Sequence, residues 1–290
     1  GLSDASRVWY LRVVEELTKL GAYISKYDRA LFIWNQNGEV EGLLIAHVDD
    51  FLWSGTNKFV HRVINPLKSL FKISKENECH FRYVGINLKQ LQTQICIDQR
   101  DYVDSIKPIT MDKERIANKD SYATDEEKRM FRGIVGQLGW AAGVSRPDIS
   151  FSSCELSTVQ SKPKISDLIK ANRAVKEIKN EDVNIKYTGL DLKSVSLSVY
   201  SDASFANLPD GGSQGGYIIF LVDSLFNSAP IAWSSRRIKR IVRSTLSAET
   251  LAAVDALDMA YLLREIIGEI LCDNDCKFIS TNMFTDRLVQ

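Results

Sequence analysis

At 290 residues the chain is long enough for about two domains, each with a real hydrophobic core. Its 44% hydrophobic and 26% charged residues exclude a disordered chain, and no apolar run reaches the ~18 residues that a membrane-spanning helix needs. Lysine plus arginine and aspartate plus glutamate number 37 each, so a uniformly basic polynucleotide binder is set aside and only local clusters remain.

Five cysteines (Cys79, Cys96, Cys154, Cys272, Cys276) form no disulfide framework, and no signal peptide is present, which predicts a reduced, intracellular protein. None of His47, His61 and His80 lies near the Cys272/Cys276 pair in sequence, so no structural zinc site is expected. The chain opens without methionine and closes in a strand-like run, so both ends are expected to be cut.

Val8, Leu11, Val14, Leu17 and Leu20 recur at helical spacing and stop near Gly21, predicting an amphipathic helix. Ala30 to Trp34 is an apolar strand, and Asn37-Gly38 is a hairpin turn before the run EVEGLLIAHV. That run meets Asp49 and Asp50 before Phe51-Leu52-Trp53, so the two acids fall at the tip of a second hairpin. Two carboxylates at 4 Å repel by about 4 kcal/mol at an effective dielectric near 20, so they either point apart into water or share a cation.

Residues 57–71 predict a helix interrupted or kinked at Pro66. Strands are expected over 81–91 and 93–98, a short helix from Gln99, and a linker over the polar stretch 108–124. Thr124 with Glu127 three residues on is a capping box opening a helix to about Ala142. Pro147 starts another, and 165–178 gives a third.

Val195, Leu197 and Val199 alternate with serines and lead to Asp202, an acid at a strand end. After the turn residues Pro209 to Gly212, GGYIIFLV and APIAWSS continue a meander. From Ser244 the period becomes helical, with Glu249 in the first turns. Between strand and helix, Arg236, Arg237, Lys239, Arg240 and Arg243 place five positive charges in eight residues, either a solvated face or a phosphate contact. Trp233 is expected in the core. Oxygen ligands converging from separate elements are what a hard cation such as magnesium requires, and Asp202 with Glu249 supplies two.

YSDASF, GGYIIFL, PIAWSSRR and STLSAETLAAVDAL, in that order, resemble the ribonuclease H domain of copia-type retrotransposon Pol polyproteins. GLSDASRVWY, LFIW and LLIAHVDDFLWSG resemble the reverse transcriptase of the same family, and FRGIVGQLGWAAGVSRPDI its thumb and connection region, for which a packing role is expected. The resemblance implies an α+β chain: a partial reverse-transcriptase palm over 1–107, a linker and helical thumb over 108–190, and an incomplete ribonuclease H-like mixed sheet with helix over 191–290. It implies that Asp49 and Asp50 are polymerase metal ligands, and that Asp202, Glu249 and Asp286 are ribonuclease H ligands. Asp273 and Asp275 are the alternative third acid. Two Mg2+ ions per complete site, with Mn2+ as substitute, and RNA template, DNA primer, RNA/DNA hybrid and the remaining Pol segments as partners follow from the same likeness. So do a cytoplasmic particle or the nucleus as location, and no membrane. His47 stands where the family has tyrosine, Ser6 where it has proline, Ser247 where it has glutamate, and Arg287 where a serine or asparagine is usual. The family's third polymerase aspartate lies upstream of the segment matching Gly1, so this chain alone is expected not to extend a primer. The rival reading is an inactive remnant or repurposed nucleic-acid binder whose acids are surface residues.

Overall fold

The computed structural model describes residues 4–73, 75–208, 210–271 and 279–285. The chain is α+β and divides into two compact units, one built from residues 1–84 and 259–280, the other from 85–258 and 281–290.

In the first unit, α1 (Ala5–Lys19) ends before Gly21, whose φ of +85° only glycine takes freely. Strands β1 (Tyr23–Ile24), β2 (Leu31–Gln36), β3 (Glu39–His47) and β4 (Asp50–Gly55) form an antiparallel sheet in that order. Asn37 and Gly38 both take positive φ, as a two-residue hairpin turn requires. Helix α2 (Asn57–Phe59) runs through a π turn (Val60–Ile64) into α3 (Asn65–Phe71). The interruption expected at Pro66 is this π turn: the ring displaces the preceding carbonyls, and the Asn65 N–H reaches back five residues to Val60 O. Val13 and Leu17 of α1, Phe32, Trp34 and Leu44 of the sheet, and Phe59, Val63 and Leu67 of the helices form one core. Strand β5 (His80–Tyr83) follows.

The single strand expected over 81–91 is two, because Val84 and Gly85 both take positive φ and turn the chain. In the second unit β6 (Ile86–Gln90), β7 (Gln94–Asp98) and β8 (Ile185–Thr188) are neighbours in that order, with Gln94 opposite Thr188. Helices α4 (Arg100–Ser105), α5 (Lys113–Ala117), α6 (Asp125–Val144), α7 (Ser150–Thr158) and α8 (Ile165–Asn180) pack around Val103, Phe131, Leu138, Leu168 and Val175. The capping box at Thr124 and Glu127 is present. Residues 108–124 are not a free linker: Ile109 is buried, and the Asn172 side chain accepts its N–H at 2.7 Å and donates to its carbonyl at 2.8 Å.

Strands β9 (Ser196–Ser204), β10 (Gln214–Val222), β11 (Ser228–Arg237) and β12 (Thr281–Thr285) form a mixed sheet ordered β11-β10-β9-β12, with β12 parallel to β9. Helix α9 (Thr245–Leu271) belongs to this unit through Asp258. Its buried Ala248, Ala252 and Ala256 repeat every four residues and let it lie close on the sheet: a Cβ on Gly215 would come within 3.0 Å of the Ala252 methyl. No helix of the described residues is long and apolar enough to cross a membrane.

Candidate functional site

The β3–β4 hairpin is held at its open end by a glycine socket. Gly42 and Gly55 are cross-strand partners, and a Cβ on either would overlap the fully buried Phe59 ring. At the closed end His47 pairs with Asp50 across a two-residue turn, Val48-Asp49. Val48 has φ +54° while Asp49 does not take positive φ, the pattern of a type II′ turn, whose first position normally holds glycine. A β-branched residue there stores strain on the order of 1–3 kcal/mol. The Trp9 indole N–H donates to the Val48 carbonyl.

Both aspartates are exposed, and neither carboxylate has a hydrogen-bond or ion-pair partner among the described residues. His47 shares the Asp50 face, since directly opposed residues project together. The Tyr83 ring stands edge-on to His47 at 6.5 Å between centroids. Burial, with the Asp50 charge added, pushes the Tyr83 hydroxyl above the usual tyrosine range, and its oxygen is buried without a hydrogen bond among the described residues. The tip is therefore a strained turn presenting two carboxylates without a partner among the described residues, with the His47 imidazole on the Asp50 side. That oxygen-rich donor set fits a hard cation.

Asp202 lies three positions from the end of β9 and is exposed; its Oδ1 accepts the Ala203 N–H at 2.9 Å. Leu197, Val199 and Ser201 are the buried face of the strand, the face that α9 covers, so alternation turns Asp202 to the other side. There it lines a cavity of about 570 Å³ with Phe151, Trp233, Asp148 and the stacked rings of Tyr200 and Phe284, 4.9 Å apart. Trp233 is partly buried and its indole donates to Ala142 O at 2.6 Å, a structural contact. Glu249 is buried on α9 beside Ala248 and Ala252. The structure thus carries Asp202 and Glu249 on opposite faces of one sheet. Among the described residues no three His, Cys, Asp or Glu side chains converge, and Asp286, Asp273 and Asp275 lie outside them. The described residues do not by themselves assemble this second donor set.

The basic run is exposed from the end of β11 to α9. Arg237 is ion-paired with Asp210, whose carboxyl it holds below the usual range, and Arg236 donates to Ser234 Oγ. Lys239, Arg240 and Arg243 have no partner among the described residues, so three of the five charges remain available to an anion. The contacts of Trp9, Tyr83 and Asp210 are not legible in the sequence, because each acts on a residue about 27 to 39 positions away.

No protein-family model matches the chain. It is 31% identical over 265 residues to the retrovirus-related Pol polyprotein from transposon RE1 of Arabidopsis thaliana, covering 86% of this chain and 17% of that one. Its homologues are transposon Pol polyproteins. The corresponding RE2 polyprotein of the same plant is 28% identical over the same shares. A transposon Ty5-1 protein of Saccharomyces cerevisiae is 26% identical, covering 83% of this chain and 80% of that protein. The chain spans about a sixth of the length of the two plant polyproteins, 17% of each.

Proposed function

We propose that this chain is the segment of a copia-type Pol polyprotein that runs from the later reverse-transcriptase palm through a helical thumb and connection region into ribonuclease H. In the intact parent the activities are RNA-directed DNA synthesis and hydrolysis of the RNA strand of a hybrid. The observation that carries the reading is the hairpin tip. Two adjacent carboxylates, exposed and without partners among the described residues, sit on a strained turn in a chain whose homologues are transposon Pol polyproteins. Magnesium, when bound, supplies Lewis-acid charge neutralisation at a phosphate. Asp49 and Asp50 supply its oxygen ligands, the rigid turn fixes their direction, and His47 faces whatever Asp50 holds. Lys239, Arg240 and Arg243 meet the backbone phosphates of the hybrid. Asp202, Glu249 and Asp286 are proposed as the hydrolytic set of the intact parent on the ordered likeness of their segments alone, since Asp202 and Glu249 lie on opposite faces of the sheet here.

The test titrates manganese(II), a paramagnetic stand-in for magnesium, into the 290-residue chain and follows signal broadening at the hairpin amides. Broadening centred on residues 47–51 and absent in Asp49→Asn and Asp50→Asn is expected. Equal broadening in both variants and the unmutated chain removes the polymerase reading and favours the remnant.

A further inference from the structure

Trp9 sits in the first half of α1, 39 residues before the turn it touches. Its helix is anchored one and two turns later by Val13 and Leu17, both essentially without exposure. The indole edge packs on Phe71 at 4.9 Å and 67°, and Phe71 packs on Phe51 at 6.0 Å. Phe51 directly follows Asp50. The indole N–H therefore reaches the Val48 carbonyl from a frame that grips the turn on two sides. Val48 is the residue that most needs holding, because a β-branched side chain at φ +54° relaxes as soon as its neighbours allow.

We infer that Trp9 is a positioning residue: its indole N–H latches the Val48 carbonyl, keeps the turn in its strained conformation, and so sets the direction of the Asp49 and Asp50 carboxylates. The inference rests on the reading of that tip as a cation site. A freed turn relaxes toward negative φ at Val48, which rotates the Val48-Asp49 peptide and swings the first carboxylate away from the second. The latch also explains why valine is tolerated where glycine would be easier. An external hydrogen bond does the work that glycine's freedom does elsewhere, and leaves the turn stiffer than a glycine turn.

The experiment compares Trp9→Phe, Val48→Gly and the double variant in the 290-residue chain. Phenylalanine keeps a ring against Phe71 and removes only the donor. Amide hydrogen exchange at residues 48–51 should quicken about two- to tenfold in Trp9→Phe, the factor one hydrogen bond controls, and manganese(II) affinity should fall by a similar factor. In the Val48→Gly background, where φ +54° needs no latch, Trp9→Phe should change neither. Unchanged exchange in Trp9→Phe overturns the latch. So does an equal effect in both backgrounds, which would make Trp9 a packing residue. If the unmutated chain shows no Asp49- and Asp50-dependent manganese(II) binding, the cation reading fails and the latch is judged on exchange alone.

Discussion

Two aspartate-bearing segments of this chain are opposites in structure. Asp148, in Ser145-Arg146-Pro147-Asp148, accepts two N–H groups from one edge of the Arg146 guanidinium, Nε at 2.9 Å and Nη2 at 2.7 Å. Arg146 is only 4% exposed and spends a further N–H on the Ile178 carbonyl at 2.7 Å. Asp49 and Asp50 are exposed on a strained turn and are ion-paired with no cation among the described residues. The first carboxylate is consumed by the fold, while the second pair is left with its lone pairs open. A buried cation that holds the carboxylate separates a packing acid from a binding one.

Breaking the consumed pair should give the largest loss of stability. Arg146→Ala strands the Ile178 carbonyl and frees Asp148, and should lower unfolding free energy by about 3–5 kcal/mol in urea melts. Arg146→Lys should recover little, because an ammonium cannot hold both carboxylate oxygens. A loss below 1 kcal/mol would mean that the two segments are not opposites.

The next effect is smaller and depends on pH. Glu127 accepts from Arg115 at 2.8 Å through each carboxylate oxygen, and those bonds push its pKa down from 4.5 to about 2. A folded value below the unfolded one stabilises above pH 4.5 and is lost as pH falls from there toward 2. Glu127→Gln should therefore cost about 1–3 kcal/mol at pH 7, and the gap to the unmutated chain should close near pH 2 in acid melts. A gap that stays constant across that range would show that the ion pair contributes nothing through its charge.

Neutralising Lys239, Arg240 and Arg243 should leave stability unchanged and flatten the slope of log hybrid affinity against log salt by about 2–3. An unaltered slope would make the run a solvated face. Asp50→Asn should likewise move the melting free energy by less than about 0.5 kcal/mol, because its carboxylate has no partner among the described residues. A larger destabilisation would reveal a structural partner and collapse the contrast with Asp148.

Much of the fold is legible in the sequence. Asn37-Gly38, the Thr124–Glu127 box and the Pro66 interruption are local signals, and each appears where turn or helix chemistry demands. The pairing of β7 with β8 was not legible, since residues 94–98 meet 185–188 with no local cue to the partner. The segment 108–124 read as a linker because its composition is polar; what orders it is Asn172, far along the chain. For the sites, the acids themselves were visible. Asp202's side of the sheet was not, because alternation fixes which residues share a face but not which face the helix covers. Nor could Arg237 be told from its basic neighbours without its partner, Asp210.

The glycine socket around Phe59 has a further consequence. Gly42 and Gly55 face each other, and any one-residue slip of the β3–β4 ladder would put Ser54 or Thr56 opposite Gly42, and Glu41 or Leu43 opposite Gly55. Each misalignment brings a side chain beneath a ring that tolerates none there. Phe59 thus proofreads the hairpin from its far end. The partnership of His47 with Asp50, five rungs away, is decided by a residue that never comes near it.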